Sequence, residues 1–226
     1  VHLPSSNMAS EHRWFPVTAI FLLLCYYCKH SEGQVYAQKM AVLQNTYGQS
    51  MKALNRGKTA AAHELLQMAL EYCEDSELRG IPEVIKVQIE ALISIARLEK
   101  QIGAFSKAAS FLKRALKLDP RHLYVSTELG HIYHKMGAKY SRQCFKAYKK
   151  ATKLRPDDHH LWYFRGDAAL SNGNLREALK AFQKSLSLLI KQEVPYDQLQ
   201  GQKTLVWART LERLGTTQQR IGEVEN

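Results

Sequence analysis

The sequence predicts an all-α fold, an array of antiparallel helix hairpins, because the same residue types recur every 34 to 36 residues. One phase of the repeat places glycine at positions 103, 137 and 173, and another places proline at positions 120 and 156. A period of this length is typical of stacked helical hairpins, in which each unit buries its apolar face against its neighbours. Such arrays offer an extended surface, so the predicted class of function is the binding of another molecule. A third phase carries small residues, at Ala115, Ala151 and Ser185.

Residues 1–37 are predicted to be an N-terminal leader. His12-Arg13 precedes an apolar run at residues 14–28, and a polar stretch follows, which is the layout of a secretory signal. Val35-Tyr36-Ala37 would form the cleavage site and release Gln38 as the new N-terminus. We therefore predict an exported protein, periplasmic or secreted. The alternatives are an uncleaved membrane anchor at residues 14–28, although a spanning helix needs about 20 residues, and a cytosolic array that buries this run.

Residues 38–214 are predicted to form the array, with about four hairpins and a capping helix. One repeat is two residues longer than its neighbours, and we place the additional pair in a turn at 138–140. An irregular stretch around 74–82 joins the weakest copy to the next one. The first copy begins near Leu43, and the three clearer copies occupy residues 89–122, 123–158 and 159–192.

The residue types within each copy explain why two helices pack there. Small residues such as Gly130 and Gly166 lie where helices must approach closely, whereas Tyr133, Trp162 and Phe182 fill the space between hairpins. Glycine permits the turn, and proline ends the second helix. These features match the Trp/Leu-Gly-Tyr…Gly…Ala…Phe…Ala…Pro pattern of the tetratricopeptide repeat (TPR), which the chain resembles over roughly 43–214. The resemblance implies a right-handed α-solenoid with a concave groove that binds a protein or peptide.

The C-terminal part is predicted to close the array. Residues 198–214 form an amphipathic pattern, with Thr204, Trp207, Leu211 and Leu214 on one side of a helix. We interpret this helix as a cap that shields the last repeat, and a fragmentary further repeat is the alternative. The polar residues 215–226 are predicted to be a loose tail.

Positive charge is concentrated in one part of the chain. Residues 103–155 contain 13 Lys and Arg against two acidic residues, which equals the net charge of +11 for the whole chain. On the hairpin arrangement, part of this charge forms a basic ridge on the outer side of two second helices. The ridge could attract an acidic protein segment or an anionic membrane surface, or it could simply keep the array soluble. Nucleic acid is not favoured, since no nucleic-acid motif accompanies the charge. The ridge residues are Lys113, Arg114, Lys117, Lys149, Lys150 and Lys153.

The TPR resemblance also implies which side chains line the groove, because the first helices of the hairpins form its wall. The resulting surface is aromatic and basic, suited to an extended peptide or a helix with acidic character. The clamp that some TPR domains use for a C-terminal carboxylate is absent, because Tyr47, Met51, Thr127 and Glu128 are among the residues at its positions. The predicted groove residues are Tyr47, Met51, Glu90, Ile93, Arg97, Lys100, Tyr124, Thr127, His131, His134, Lys135, His160, Tyr163 and Asp167.

The sequence gives little indication of metal binding, disulfide formation or catalysis. His131, His134 and His159-His160 could bind zinc or copper, but no Cys or carboxylate completes a ligand set, so no metal is predicted. Cys73 and Cys144 are predicted to be unpaired thiols. No phosphate-binding glycine loop, nucleophile elbow or HExxH motif occurs, so we predict neither an enzyme nor a cofactor.

These observations together predict a protein–protein interaction adaptor or scaffold. It would bind a peptide or partner helix in the concave groove of its array. The alternatives are a membrane-surface protein that binds anionic lipid through the ridge, and a cytosolic TPR scaffold. The identity of the partner and the oligomeric state do not follow from the sequence.

Overall fold

The computed structural model describes residues 31–191 and 202–225, and every regular element among them is a helix. A one-turn 3-10 helix at Ala138–Tyr140 holds the two additional residues of the longer repeat, where the sequence placed them. The α-helices are α1 (Ser31–Asn55), α2 (Thr59–Glu74), α3 (Pro82–Gln101), α4 (Phe105–Leu118), α5 (Leu123–Lys135), α6 (Ser141–Leu154), α7 (His159–Ser171), α8 (Leu175–Lys191) and α9 (Gln202–Glu225).

The helices pair in chain order, and the main packing is between consecutive helices, so the prediction of an all-α hairpin array is confirmed. Each of the four hairpin turns contains a glycine in the left-handed region, with φ between 70° and 91°. Other residues adopt this conformation only with strain, which explains why glycine marks the repeat. The four glycines are Gly57, Gly103, Gly137 and Gly173.

Glycines inside two first helices permit close contact with the second helix of the same hairpin. A Cβ atom at Gly130 would lie 2.6 Å from the ring of Tyr148, and one at Gly166 would lie 2.7 Å from the ring of Phe182. Both rings are fully buried. The buried hydrophobic residues of the described part form three clusters, and the main one extends from Ala62 to Ala168. Trp162 differs from the prediction, since it is only partly buried and donates from Nε1 to Pro156 O at 2.7 Å.

Helix α1 crosses the boundary that the sequence suggested between leader and array. It begins at Ser31 and continues past the predicted cleavage point before Gln38. Tyr36 packs against a cluster that includes Leu43 and Leu78. Lys39 Nζ lies 2.9 Å from Asp75 Oδ1 and 3.0 Å from Glu77 Oε2. The hydrogen bonds to these two carboxylates raise the pKa of Lys39. The described array therefore includes residues on both sides of the predicted boundary, and residues 1–30 of the predicted leader 1–37 lie outside the described residues.

Helix α9 packs on α8 and also contacts α7, as expected for a cap. Its buried side chains are Thr210, Leu214 and Thr217, whereas Leu211 is 48% exposed. The predicted packing side was therefore wrong at Leu211; the side chains of residues 204 and 207 lie outside the described ones. The prediction of a loose tail at residues 215–226 was also wrong, because α9 continues through this polar stretch to Glu225.

Candidate interaction surfaces

Contacts between successive first helices show that many predicted groove residues share one face. Arg97 Nη2 of α3 donates to Tyr124 Oη of α5 at 3.4 Å. Lys100 Nζ donates to Glu128 Oε2 of α5 at 2.7 Å. These contacts join the second and third hairpins across the face that we call the inner face.

The inner face continues through the fourth hairpin to the cap. His134 Nδ1 of α5 lies 3.6 Å from Asp167 Oδ2 of α7, and Arg213 Nη2 of α9 lies 3.4 Å from Asp167 Oδ1. A chain of polar contacts therefore crosses from α5 to α9. The sequence pattern did not indicate Arg213, because residues 202–225 do not continue the repeat period.

Several inner-face residues are accessible to a partner. Tyr124 is 41% exposed, and the side chain of His134 is 53% exposed. Arg97, Lys135 and His160 are also exposed. The hydrogen bond from Arg97 to Tyr124 raises the pKa of Arg97, so its guanidinium stays charged. This accessible set combines an aromatic side chain with permanent positive charge.

Other predicted groove residues are occupied within the protein. His131 Nδ1 and Tyr148 Oη are hydrogen-bonded at 2.9 Å, and burial lowers the pKa of His131. Thr127 Oγ1 donates to Leu123 O at 3.1 Å. Ile93 and Asp167 are buried, which corrects their prediction as open groove residues. Of the remaining predicted residues, Glu90 is exposed, Lys100, Tyr47 and Met51 are partly buried, and Tyr163 is partly buried against Phe164 and Phe182.

The basic ridge lies on the second helices α4 and α6, and all its residues except the partly buried Lys150 are exposed. Arg114 Nη2 is paired with Glu74 Oε1 at 2.7 Å. Within the described residues, the five lysines of the ridge make no ion pair. Two of them, Lys113 and Lys149, each hold Nζ 5.8 Å from the centroid of an aromatic ring.

The remaining site predictions concern thiols, metals and the membrane. Cys73 and Cys144 are buried free thiols, and burial raises their pKa values to about 11 and about 12. Among residues 31–191 and 202–225, no group of three or more His, Cys, Asp or Glu side chains could hold a metal ion. No helix in the same ranges is long and apolar enough to cross a membrane, and the apolar run at residues 14–28 is outside them.

Fold and surfaces together define an α-helical repeat protein with a polar, aromatic inner face and a basic outer ridge. Two family models, both described as tetratricopeptide repeat, match residues 89–122 and 146–197. These two segments therefore match the tetratricopeptide repeat. The first of these matches coincides with the clearest repeat seen in the sequence.

Solved structures similar to this chain have the same type of fold. MamA RS-1 (ArsTM double mutant) aligns with TM-score 0.55 and 18% identity, over 79% of this chain and 96% of that chain. MamA 41-end from Desulfovibrio magneticus RS-1 aligns with TM-score 0.54 and 19% identity, over 79% and 94%. MamA AMB-1 aligns with TM-score 0.53 and 16% identity, over 81% and 88%. At these identities the likeness concerns the fold alone. No curated protein sequence matches the chain significantly.

Proposed function

We propose that this protein is a non-enzymatic interaction adaptor that binds an extended peptide or partner helix along its inner face. The observation that carries the proposal is the continuity of that face across hairpins, through the contacts Arg97–Tyr124 and Lys100–Glu128. Helical repeat arrays use extended concave surfaces of this kind for binding. Tyr124 and Arg97 belong to the residue types that dominate binding energy in interfaces.

The proposed partner has acidic character. Two exposed cationic side chains, Arg97 and Lys135, lie along α3 and α5. Two carboxylates on the same face are compensated, since Glu128 is paired with Lys100, and Asp167 with His134 and Arg213, whereas Glu90 is exposed near Arg97. An acidic peptide would add the negative charge that this surface lacks, and charge complementarity favours its association.

The test is a peptide selection followed by affinity measurement. Peptides selected from a random library against the full chain are measured by fluorescence anisotropy with the wild type, Tyr124→Ala and Lys149→Glu. Truncation of a hot-spot aromatic costs about 2 kcal/mol or more, so we expect at least a roughly 30-fold weaker Kd for Tyr124→Ala. Lys149→Glu lies on the outer ridge and serves as the matched control.

The choice of variants follows from burial. His131 is unsuitable as a groove probe because its removal would break the hydrogen bond to the buried Tyr148. Tyr124 is exposed on the inner face, so its truncation should leave the core intact. Selected peptides whose affinity is unchanged in Tyr124→Ala and in Arg97→Ala would show that the inner face is not the binding surface.

A second candidate function is the binding of anionic lipid through the basic ridge. It is favoured by the five ridge lysines that make no ion pair within the described residues, because such charges remain available to headgroups. Replacement of Lys113, Arg114 and Lys117 by Glu should abolish co-sedimentation with phosphatidylserine vesicles while peptide binding is retained. Equal sedimentation of the wild type and this variant would reject the lipid function.

Export is retained as a proposal, supported by the charged and apolar layout of residues 1–37. Cleavage before Gln38 would remove the first part of α1, including Tyr36, which packs against Leu43 and its neighbours. Intact mass and N-terminal sequencing of the protein from its native host decide the question. A start at Gln38 supports export, and retention of residues 14–28 supports an anchor or a cytosolic array.

A further inference from the structure

A cleft between the first and second hairpins contains a buried carboxylate that is only half satisfied. The side chain of Glu99 on α3 is 7% exposed, and its Oε1 lies 3.1 Å from His63 Nε2 on α2. The other oxygen, Oε2, is buried and has no hydrogen-bond partner within the described residues. A buried polar atom without a partner is destabilising, and more so when it is charged. A contribution to the stability of the fold therefore does not explain why a carboxylate, Glu99, occupies this buried position.

The equivalent positions of other repeats are apolar. Tyr133 lies 34 residues after Glu99, in the same phase, and is buried in the core. His63 is the sixth residue after its turn glycine, and Ala109 occupies that position in the next hairpin, where it is buried. The polar pair His63–Glu99 is thus specific to the junction of the first two hairpins. At the next junction the equivalent positions are occupied by buried residues that form no such pair.

The cleft next to this pair is open and has a volume of about 360 Å³. Its lining combines two carboxylates, Glu64 and Glu99, with apolar surface from Leu98 and from Ile102, which is 77% exposed. Lys and Arg are absent from the residues that line it in the described part of the chain. The chemistry is therefore that of a site for a cation with an apolar body.

The cation is organic rather than metallic. A metal ion needs several protein ligands, and within the described residues no third His, Cys, Asp or Glu joins His63 and Glu99 in suitable geometry. Lys and Arg side chains, by contrast, combine an apolar stem with a charged head. Their hydrogen bonds to carboxylates are among the strongest in proteins.

We propose that this cleft binds the Lys or Arg side chain of a partner protein. The charged head donates to the carboxylate of Glu99, whose Oε2 is otherwise unpartnered, and the stem lies against Leu98 and Ile102. His63 holds Oε1 and so fixes the orientation of the carboxylate. None of these residues belongs to the predicted groove set, so the cleft is a second binding site.

The test uses Nα-acetyl-arginine amide as the probe and Nα-acetyl-norleucine amide as its uncharged control. Methyl NMR of the full chain follows the signals of Leu98 and Ile102 during titration. We expect saturable shifts with the arginine probe, none with the norleucine probe, and at least tenfold weaker binding in Glu99→Gln. Glu71→Gln, an exposed carboxylate on α2, is the matched control and should bind as the wild type does.

Three results would overturn the proposal: an unchanged affinity in Glu99→Gln, an equal response to the norleucine probe, or no saturable response to the arginine probe. Ile102→Ser provides a second variant, since this exposed side chain can be replaced without disturbing the core, and it should also weaken binding. Tyr124→Ala should leave the arginine response unchanged. A result that rejects binding in the cleft can therefore be told apart from one that rejects binding at the inner face.

Discussion

Replacement of Gly130 by Ala tests whether helix contact distance, rather than turn geometry, requires glycine in the first helices. Gly130 lies within α5, and an added Cβ would be 2.6 to 2.8 Å from three ring atoms of Tyr148. Carbon atoms do not approach so closely, so the ring or one of the helices must move. Tyr148 is only 1% exposed, and its ring stacks on that of Phe164 at a centroid distance of 5.4 Å.

The expected change in the free energy of unfolding follows from two destabilising effects and one stabilising effect. Overpacking of a close-packed core costs about 1–3 kcal/mol. Displacement of Tyr148 also weakens its 2.9 Å hydrogen bond to His131, worth about 1 kcal/mol. Against these, Ala is favoured over Gly inside a helix by about 1 kcal/mol. We therefore expect Gly130→Ala to lower the free energy of unfolding by about 1–3 kcal/mol.

Gly48→Ala is the matched control, because Gly48 lies within α1 and an added Cβ would meet nothing within 4 Å. Its substitution should raise the stability by about 0.5–1 kcal/mol through helix propensity alone. Urea unfolding followed by circular dichroism measures both variants. With a slope of about 2 kcal/mol/M, the midpoint should fall by about 0.5–1.5 M for Gly130→Ala. A Gly130→Ala variant as stable as Gly48→Ala would refute the close-contact argument.

Three further predictions concern thiols, pH and a buried ion pair. Because burial raises the pKa of Cys73 to about 11 and that of Cys144 to about 12, Ellman's reagent at pH 8 should modify both rapidly only after denaturation. Burial lowers the pKa of His131 below its ordinary value of 6.5, so the unfolded state binds more protons, and stability should fall as the pH drops below about 6.5. His131→Phe should show a shallower fall in thermal melts at pH 7 and pH 5, and an unchanged slope would exclude this group as the cause. Arg165→Met should cost about 1–3 kcal/mol in urea unfolding, because it leaves the partly buried carboxylate of Glu177 without its partner. A loss below about 1 kcal/mol would contradict the ion-pair account.

The hairpin array could be predicted because its determinants are local and periodic. A left-handed glycine is required at each hairpin turn, so Gly103, Gly137 and Gly173 recur at the repeat spacing. The contact of Gly130 with Tyr148 has the same local origin within one hairpin. The extent of α9 could not be predicted in this way, because a polar stretch beyond Leu214 carries no strong apolar signal.

The candidate surfaces could be predicted less completely. The position of a residue within the repeat indicates which face of the helix it lies on, but not which residue its side chain contacts. Asp167 and His131 were placed on the correct helices, but the first is ion-paired and the second is hydrogen-bonded to Tyr148. The sequence indicated only an irregular stretch around 74–82, whereas Glu74 ends α2 and pairs with Arg114, 40 residues later in the chain. Such long-range pairs depend on how hairpins stack, which a single repeat does not encode.

The distribution of ion pairs gives the two faces different roles. On the inner face, pairs such as Lys100–Glu128 connect successive hairpins, so part of its charge is used to hold the array together. On the outer ridge, lysines such as Lys113 and Lys149 have no ion-pair partner within the described residues. Exposed charges are screened by salt, whereas partly buried pairs are screened less. Added salt should therefore weaken any binding to the ridge first, while the inner face keeps its shape and its aromatic contacts at Tyr124.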